Sequence, residues 1–138
     1  MIKKLFLLIY ITIVMLFAED SYELKLYESV LPMIFKNTPI HIYADADIKK
    51  LLSKSTLFKI VSVCDNNTTL IIGKNFTNLP ESCEDKPLFA TSYRWYKNHK
   101  NSIGAFYWRK GRPQLKFKKE ALYDFNITLP QALSKYAQ

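Results

Sequence analysis

Residues 103–118 read IGAFYWRKGRPQLKFK. Two runs of alternating character flank Lys110-Gly111, the pattern of a β-hairpin closed by a two-residue turn. With that turn, Trp108 pairs with Pro113, Phe106 with Leu115, and Gly104 with Phe117. Side chains alternate along a strand, so Phe106, Trp108, Leu115 and Phe117 share one face. Tyr107, Arg109, Arg112, Gln114, Lys116 and Lys118 share the other. The first face belongs to a core and the second is a basic surface. Pro113 has no N–H to give a ladder, which puts the start of its strand at an edge or at an unpaired position.

Upstream of the hairpin, short apolar runs recur between helical or turn-rich segments. Residues 40–44 form a β-prone run after the break at Thr38-Pro39, and His41 is its one polar member. Asp45 or Asp47 can then cap a helix over 48–54, with Ile48, Leu51 and Leu52 on one face. Residues 58–63 alternate and end at Cys64. Leu70-Ile71-Ile72-Gly73 and residues 87–90 are continuous apolar runs, as suits strands covered on both faces. Near the start, Leu24, Tyr27, Leu31, Ile34 and Phe35 recur at helical spacing, predicting a helix over 22–36 that Pro32 should kink. Two short helical stretches, 119–123 and 130–136, close the chain. The pattern predicts an α/β fold: a single three-layer domain with a mixed, largely parallel central sheet and a C-terminal β-hairpin.

The first residues supply two cations, Lys3 and Lys4, then an unbroken apolar run over 5–17, then Ala18 ahead of Glu19 and Asp20. That is the order of a secretory signal peptide, residues 1–18, cleaved after Ala18. The run falls short of the roughly 20 apolar residues that span a bilayer. An uncleaved N-terminal anchor is the alternative, since Leu16 stands where a small residue is preferred. The remainder, residues 19–138, has the size of one hydrophobic core. Export places it in an oxidising compartment. There its two cysteines, Cys64 and Cys83, are most simply a disulfide, with a pair of buried free thiols as the alternative.

Charge is unevenly spread. Between Lys86 and Lys119 there are ten basic residues and no acid, while the rest of the exported chain carries eight basic and twelve acidic residues. One stretch is therefore +10 and the remainder −4. Export removes nucleic acid as a partner, leaving an acidic protein surface or anionic lipid headgroups, or simply a solvated basic face. Within this stretch Tyr93-Arg94-Trp95-Tyr96 follows a strand directly. Trp, Tyr and Arg are the residues most enriched at binding hot spots, so these four, with Tyr107, Trp108, Arg109 and Arg112, are the candidate partner-binding residues. Their other reading is a loop whose aromatics cover the sheet. His41 and His99 lack metal-ligand spacing, and Ser92 lacks both a G-x-S-x-G elbow and a base. No catalytic residue, metal or cofactor is expected.

Several short stretches carry a resemblance. They are Ile103-Gly104-Ala105-Phe106, Gly111-Arg112 with Leu115 and Phe117, Ala121-Leu122, and Leu129 through Leu133 to Ala137. Leu70-Ile71-Ile72-Gly73 and Pro87-Leu88-Phe89-Ala90 precede them in the order of two central strands. In these residues the chain resembles the YfiR/HmsC-like family of small periplasmic regulators. It departs from that pattern at Lys118-Lys119, where the family usually has an Asn, in having only one cysteine pair, and in the bulk of residues 106–110. The resemblance implies a regulatory binding protein and no enzyme, one that holds the periplasmic part of a membrane-bound signalling protein inactive, a diguanylate cyclase or else a sensor kinase. A small periplasmic solute-binding protein, with a crevice near Asp45 and Arg94, is the alternative.

Overall fold

The structure, a computed structural model, describes residues 20–138. The expected leader, residues 1–18, lies outside the described residues. A helix through residues 20–34 (α1) leads into strand β1 (Ile40–Ala44) and helix α2 (Ala46–Leu52). Strands β2 (Phe58–Ile60), β3 (Leu70–Gly73) and β4 (Leu88–Ala90) follow, then helix α3 (Tyr93–Asn98). The hairpin β5 (Ser102–Arg109) and β6 (Arg112–Phe117), helix α4 (Lys119–Asp124) and a 3₁₀ segment, Gln131–Tyr136, complete the order. All six strands form one sheet in the order β2-β1-β3-β4-β5-β6. β6 alone runs antiparallel to its neighbour, so the expected α/β class, with a largely parallel sheet and a terminal hairpin, is what the chain adopts.

The hairpin has the register its residues predict: Trp108 faces Pro113, Phe106 faces Leu115, and Gly104 faces Phe117. Lys110 and Gly111 both take positive φ, 51° and 76°, the backbone of the tight turn whose twist matches that of the strands. Gly104 is required by packing. A Cβ there would stand 2.7 Å from the Lys116 carbonyl oxygen and 2.8 Å from the Phe89 ring.

One side of the sheet carries the main core. Ile40, Ile42, Leu70, Ile72, Phe89, Phe106 and Phe117 meet Tyr27 and Leu31 of α1, Leu52 of α2, and Ala121 and Leu122 of α4. Phe89 sits at its centre, edge-on to Tyr27 (5.8 Å) and to Phe117 (6.1 Å). α1 continues past Pro32, and Phe35 N–H still donates to the Leu31 carbonyl at 2.8 Å. The other side is covered by α3 and by the irregular segments around Cys64 and Cys83. Those two cysteines form a disulfide with Cα atoms 6.1 Å apart, and both are buried against Ile71 and Leu88. β2 is shorter than its alternating pattern predicts. After Val61 N–H donates to Ile42, the chain turns away to bring Cys64 to its partner.

Tyr27 is fully buried, and its hydroxyl has no hydrogen-bond partner among the described residues. Burial holds its ionisation well above the ordinary phenol range, with the negative charge of Glu23 and Asp45 adding to the effect. The folded chain therefore keeps a proton that the unfolded chain sheds near pH ~10, so stability falls as pH rises beyond that point. Urea unfolding of Tyr27→Phe should show a shallower loss between about pH 8 and about pH 11. At neutral pH it should match or exceed the parent by about 1 kcal/mol, because an unpaired buried hydroxyl is removed.

Candidate functional site

Residues 93–98 form a helix where the sequence reads equally as a loop. The Ser92 hydroxyl accepts the Trp95 N–H at 3.1 Å, an N-cap that starts α3, and Tyr96 N–H closes the first turn on the Ser92 carbonyl. Tyr96 packs into the small core of Ala90 and Ala105, only 5% exposed, and this anchors the helix across β4 and β5. The signal in the sequence is Ser92 itself, a preferred cap ahead of six residues free of Gly and Pro.

Lys118 fastens the other end. Its Nζ donates to the carbonyls of Tyr96 (2.8 Å) and His99 (3.0 Å), and lies 4.8 Å from the centre of the Tyr96 ring. A cation at a helix C-terminus meets carbonyls that have no partner within the helix. Burial lowers the Lys118 pKa, while Glu120 opposes that shift. Burial likewise raises that of Tyr96, helped by the neighbouring Tyr107 and Tyr93.

The candidate residues divide among three places. Tyr93 and Tyr107 meet on the outer side of α3 with ring centres 5.9 Å apart, and Lys116 Nζ lies 5.1 Å from the Tyr93 ring centre. Tyr93 is 46% exposed. Arg109 and Arg112 are cross-strand partners on this same side of the hairpin, both exposed. Tyr93, Tyr107, Lys116, Arg109 and Arg112 thus form one aromatic and cationic surface on a two-stranded base. Tyr96 lies beneath it, in the core.

Arg94 and Trp95 are turned elsewhere. They line a groove of about 370 Å³ with Asn75, Ser92, Asn98 and His99. His99 stacks on Trp95 at 3.7 Å, and its Nδ1 lies 3.0 Å from the Trp95 carbonyl. Trp108 is on the opposite side of the sheet, against Phe106 (5.7 Å) and Tyr22 (5.9 Å). The alternation of a strand makes this separation from Tyr107 unavoidable.

At the carboxyl end of the sheet, β1 and β3 lead away in opposite directions, the place where open α/β sheets gather ligand groups. Asp45 occupies it, and both of its oxygens serve the fold. Oδ1 accepts Ile48 N–H at 3.1 Å to cap α2, and Oδ2 accepts Lys74 N–H at 2.9 Å to tie the two strand ends together. Gly73 has φ +147°, and a Cβ there would collide with the Asp45 carboxylate and with Phe76. The adjoining crevice, about 600 Å³, is lined by Asp47, Lys50, Lys54, Lys74 and Thr91 among others, and Arg94 is not part of it. Asp45 and Arg94 therefore line different depressions. A smaller apolar cavity, about 140 Å³, lies beside the disulfide between Phe76, Leu79, Cys83, Leu88 and Trp95.

No family model matches the chain, and no curated protein matches it. Its fold is similar to the crystal structure of a conserved domain protein from Vibrio cholerae O1 biovar eltor str. N16961, with a TM-score of 0.60 at 12% identity. The match covers 83% of this chain and 59% of that one, so the chain spans less than two thirds of the protein it is similar to. At that identity the likeness bears on fold alone.

Proposed function

We propose that the exported chain is a periplasmic regulatory binding protein that docks on a membrane-bound signalling protein and controls it by protein–protein contact. The observation that carries this reading is the surface of Tyr93, Tyr107, Lys116, Arg109 and Arg112. Its aromatic rings are held by packing on β5 and α3, so little side-chain freedom is lost on contact, and the cations around them favour an acidic partner. The Cys64–Cys83 bridge fits an oxidising compartment, and the leader over residues 1–18 makes that compartment the periplasm. The diguanylate cyclase as partner rests on the YfiR/HmsC-like resemblance.

The test is cross-linking in intact cells, followed by identification of the captured membrane protein and measurement of cyclic di-GMP. The parent chain should capture a protein with a cytoplasmic cyclase domain, and loss of the chain should raise cyclic di-GMP. Combining Tyr93→Ser, Arg109→Glu and Arg112→Glu should lower capture by about tenfold or more, because exposed sites change while the cores do not. Unchanged cyclic di-GMP together with thermal stabilisation by a small solute would replace this reading with the solute-binding one. The apolar cavity beside the disulfide is the observation that favours that second reading. Capture lost to anionic vesicles alone would mark the basic face as a lipid contact.

A further inference from the structure

Strand β6 ends the sheet, and part of its outer edge is open. Residues along a strand turn their backbone groups alternately toward and away from one neighbour. Lys118 N–H donates to the Ile103 carbonyl on β5 (2.9 Å), whereas the Phe117 carbonyl accepts Gln138 N–H from the other side (2.8 Å). By alternation, Lys116, Gln114 and Arg112 address β5, and Leu115 and Pro113 address the outside. The C-terminal segment covers Phe117 through the bridge with Ala137. Among the described residues no segment pairs with the outer edge over residues 112–116. Pro113 offers only a carbonyl, so Leu115 supplies both a donor and an acceptor there.

The two sides of this edge differ in chemistry. On one lies a mostly apolar groove of about 430 Å³ formed by Leu26, Met33, Leu115, Leu133 and Tyr136, which Lys25 and Lys135 also line, with Met33 43% exposed. On the other lie Arg112, Gln114 and Lys116 beside Tyr93 and Tyr107. A strand added at β6 would send alternate side chains to these two sides. A second copy of the chain is a poor occupant. Antiparallel pairing centred on Leu115 would set Arg112 against Lys118, cation opposite cation.

We infer that β6 is a docking edge for an extended segment of a partner protein in which apolar residues alternate with Asp or Glu, added as a further strand. The apolar side chains enter the groove beside Leu115, the carboxylates meet Arg112 and Lys116, and Leu115 exchanges backbone hydrogen bonds with the segment. The inference rests on the protein-docking reading above and names the chemistry of the partner.

The test uses the ¹⁵N-labelled exported chain and a peptide of about eight residues alternating Val and Glu. An isomer with the same residues in two blocks is the control. The alternating peptide should shift the Leu115 amide, slow its hydrogen exchange, and bind about tenfold tighter than the isomer. Combining Arg112→Glu with Lys116→Glu should weaken it by about tenfold or more. Leu115→Pro removes the outward N–H and leaves the β5 ladder, so it should weaken the alternating peptide by about tenfold with the rest of the spectrum retained. Equal binding of both peptides, or binding that leaves the Leu115 amide unmoved, overturns the inference. So does cyclase capture in cells that is indifferent to Leu115→Pro, an outcome that leaves the regulator reading standing. Peptide binding at Leu115 with unchanged cyclic di-GMP does the reverse.

Discussion

Phe89→Ala is expected to destabilise the fold by about 3–5 kcal/mol, a large share of what holds a small domain together. Phe89 is on the central strand β4, has no exposed surface, and touches elements far apart in the chain. Its ring meets Tyr27 of α1 and Phe117 of β6, and the missing Cβ of Gly104 leaves room for its edge. Truncation removes that packing at once, and the surrounding strands are too tightly paired to close the cavity. Phe89→Leu retains most of the volume and should cost under about 1.5 kcal/mol. Urea unfolding followed by circular dichroism checks both. Equal midpoints for Phe89→Ala and the parent would show that this core is not shared between α1 and the hairpin.

Loss of the Cys64–Cys83 bridge is the second large effect. It joins residues 19 apart in sequence, and on the chain-entropy account such a loop contributes about 3 kcal/mol. The contribution acts through the unfolded chain, so it adds to the packing of both buried cysteines on Ile71 and Leu88. Combining Cys64→Ala with Cys83→Ala should lower the unfolding free energy by about that amount and make it independent of reductant. The parent should lose a similar amount when reductant is added. Trp95 lines the cavity beside Cys83, whereas Trp108 lies across the sheet, so with Trp108→Phe the remaining fluorescence reports on the bridged side. A parent whose unfolding midpoint ignores reductant would place the stability of that side in its packing alone.

The two effects belong to opposite sides of the sheet, and the hairpin serves both. Phe106 and Phe117 build the main core, while Tyr107 and Lys116, their immediate neighbours in sequence, build the tyrosine and cation surface. A change that shifts the hairpin register by one residue would exchange these roles and lose core and surface together.

Residues 40–44 and 70–72 stood out as strands because β-prone and apolar side chains follow one another there without a turn residue. The hairpin register was readable for a related reason: Lys110-Gly111 leaves one way to close the turn, and alternation then assigns every side chain a face. Asp45 and Asp47 were both possible caps from sequence. The structure decides between them, because Asp45 accepts the N–H of Ile48 to start α2 and, with its other oxygen, the N–H of Lys74 just past β3. The shortening of β2 was not legible and the helix over residues 93–98 was signalled only by its Ser92 cap, since both are fixed by partners distant in the chain. Cys83 draws Cys64 off the sheet, and Ala90, Ala105 and Lys118 hold Tyr96 and the end of α3 in place.

By itself the sequence determined where the chain is extended, where it turns, which hairpin residues share a face, and that two cysteines must find each other if they pair at all. These are local matters, written in side-chain size, polarity and the freedom of Gly and Pro. The tertiary structure alone decided the strand order, the burial of Tyr96, the separation of Arg94 from Tyr107, and the open edge beside Leu115. Backbone hydrogen bonds between strands look alike whatever residues make them, so the choice of neighbour is made by packing across the whole sheet.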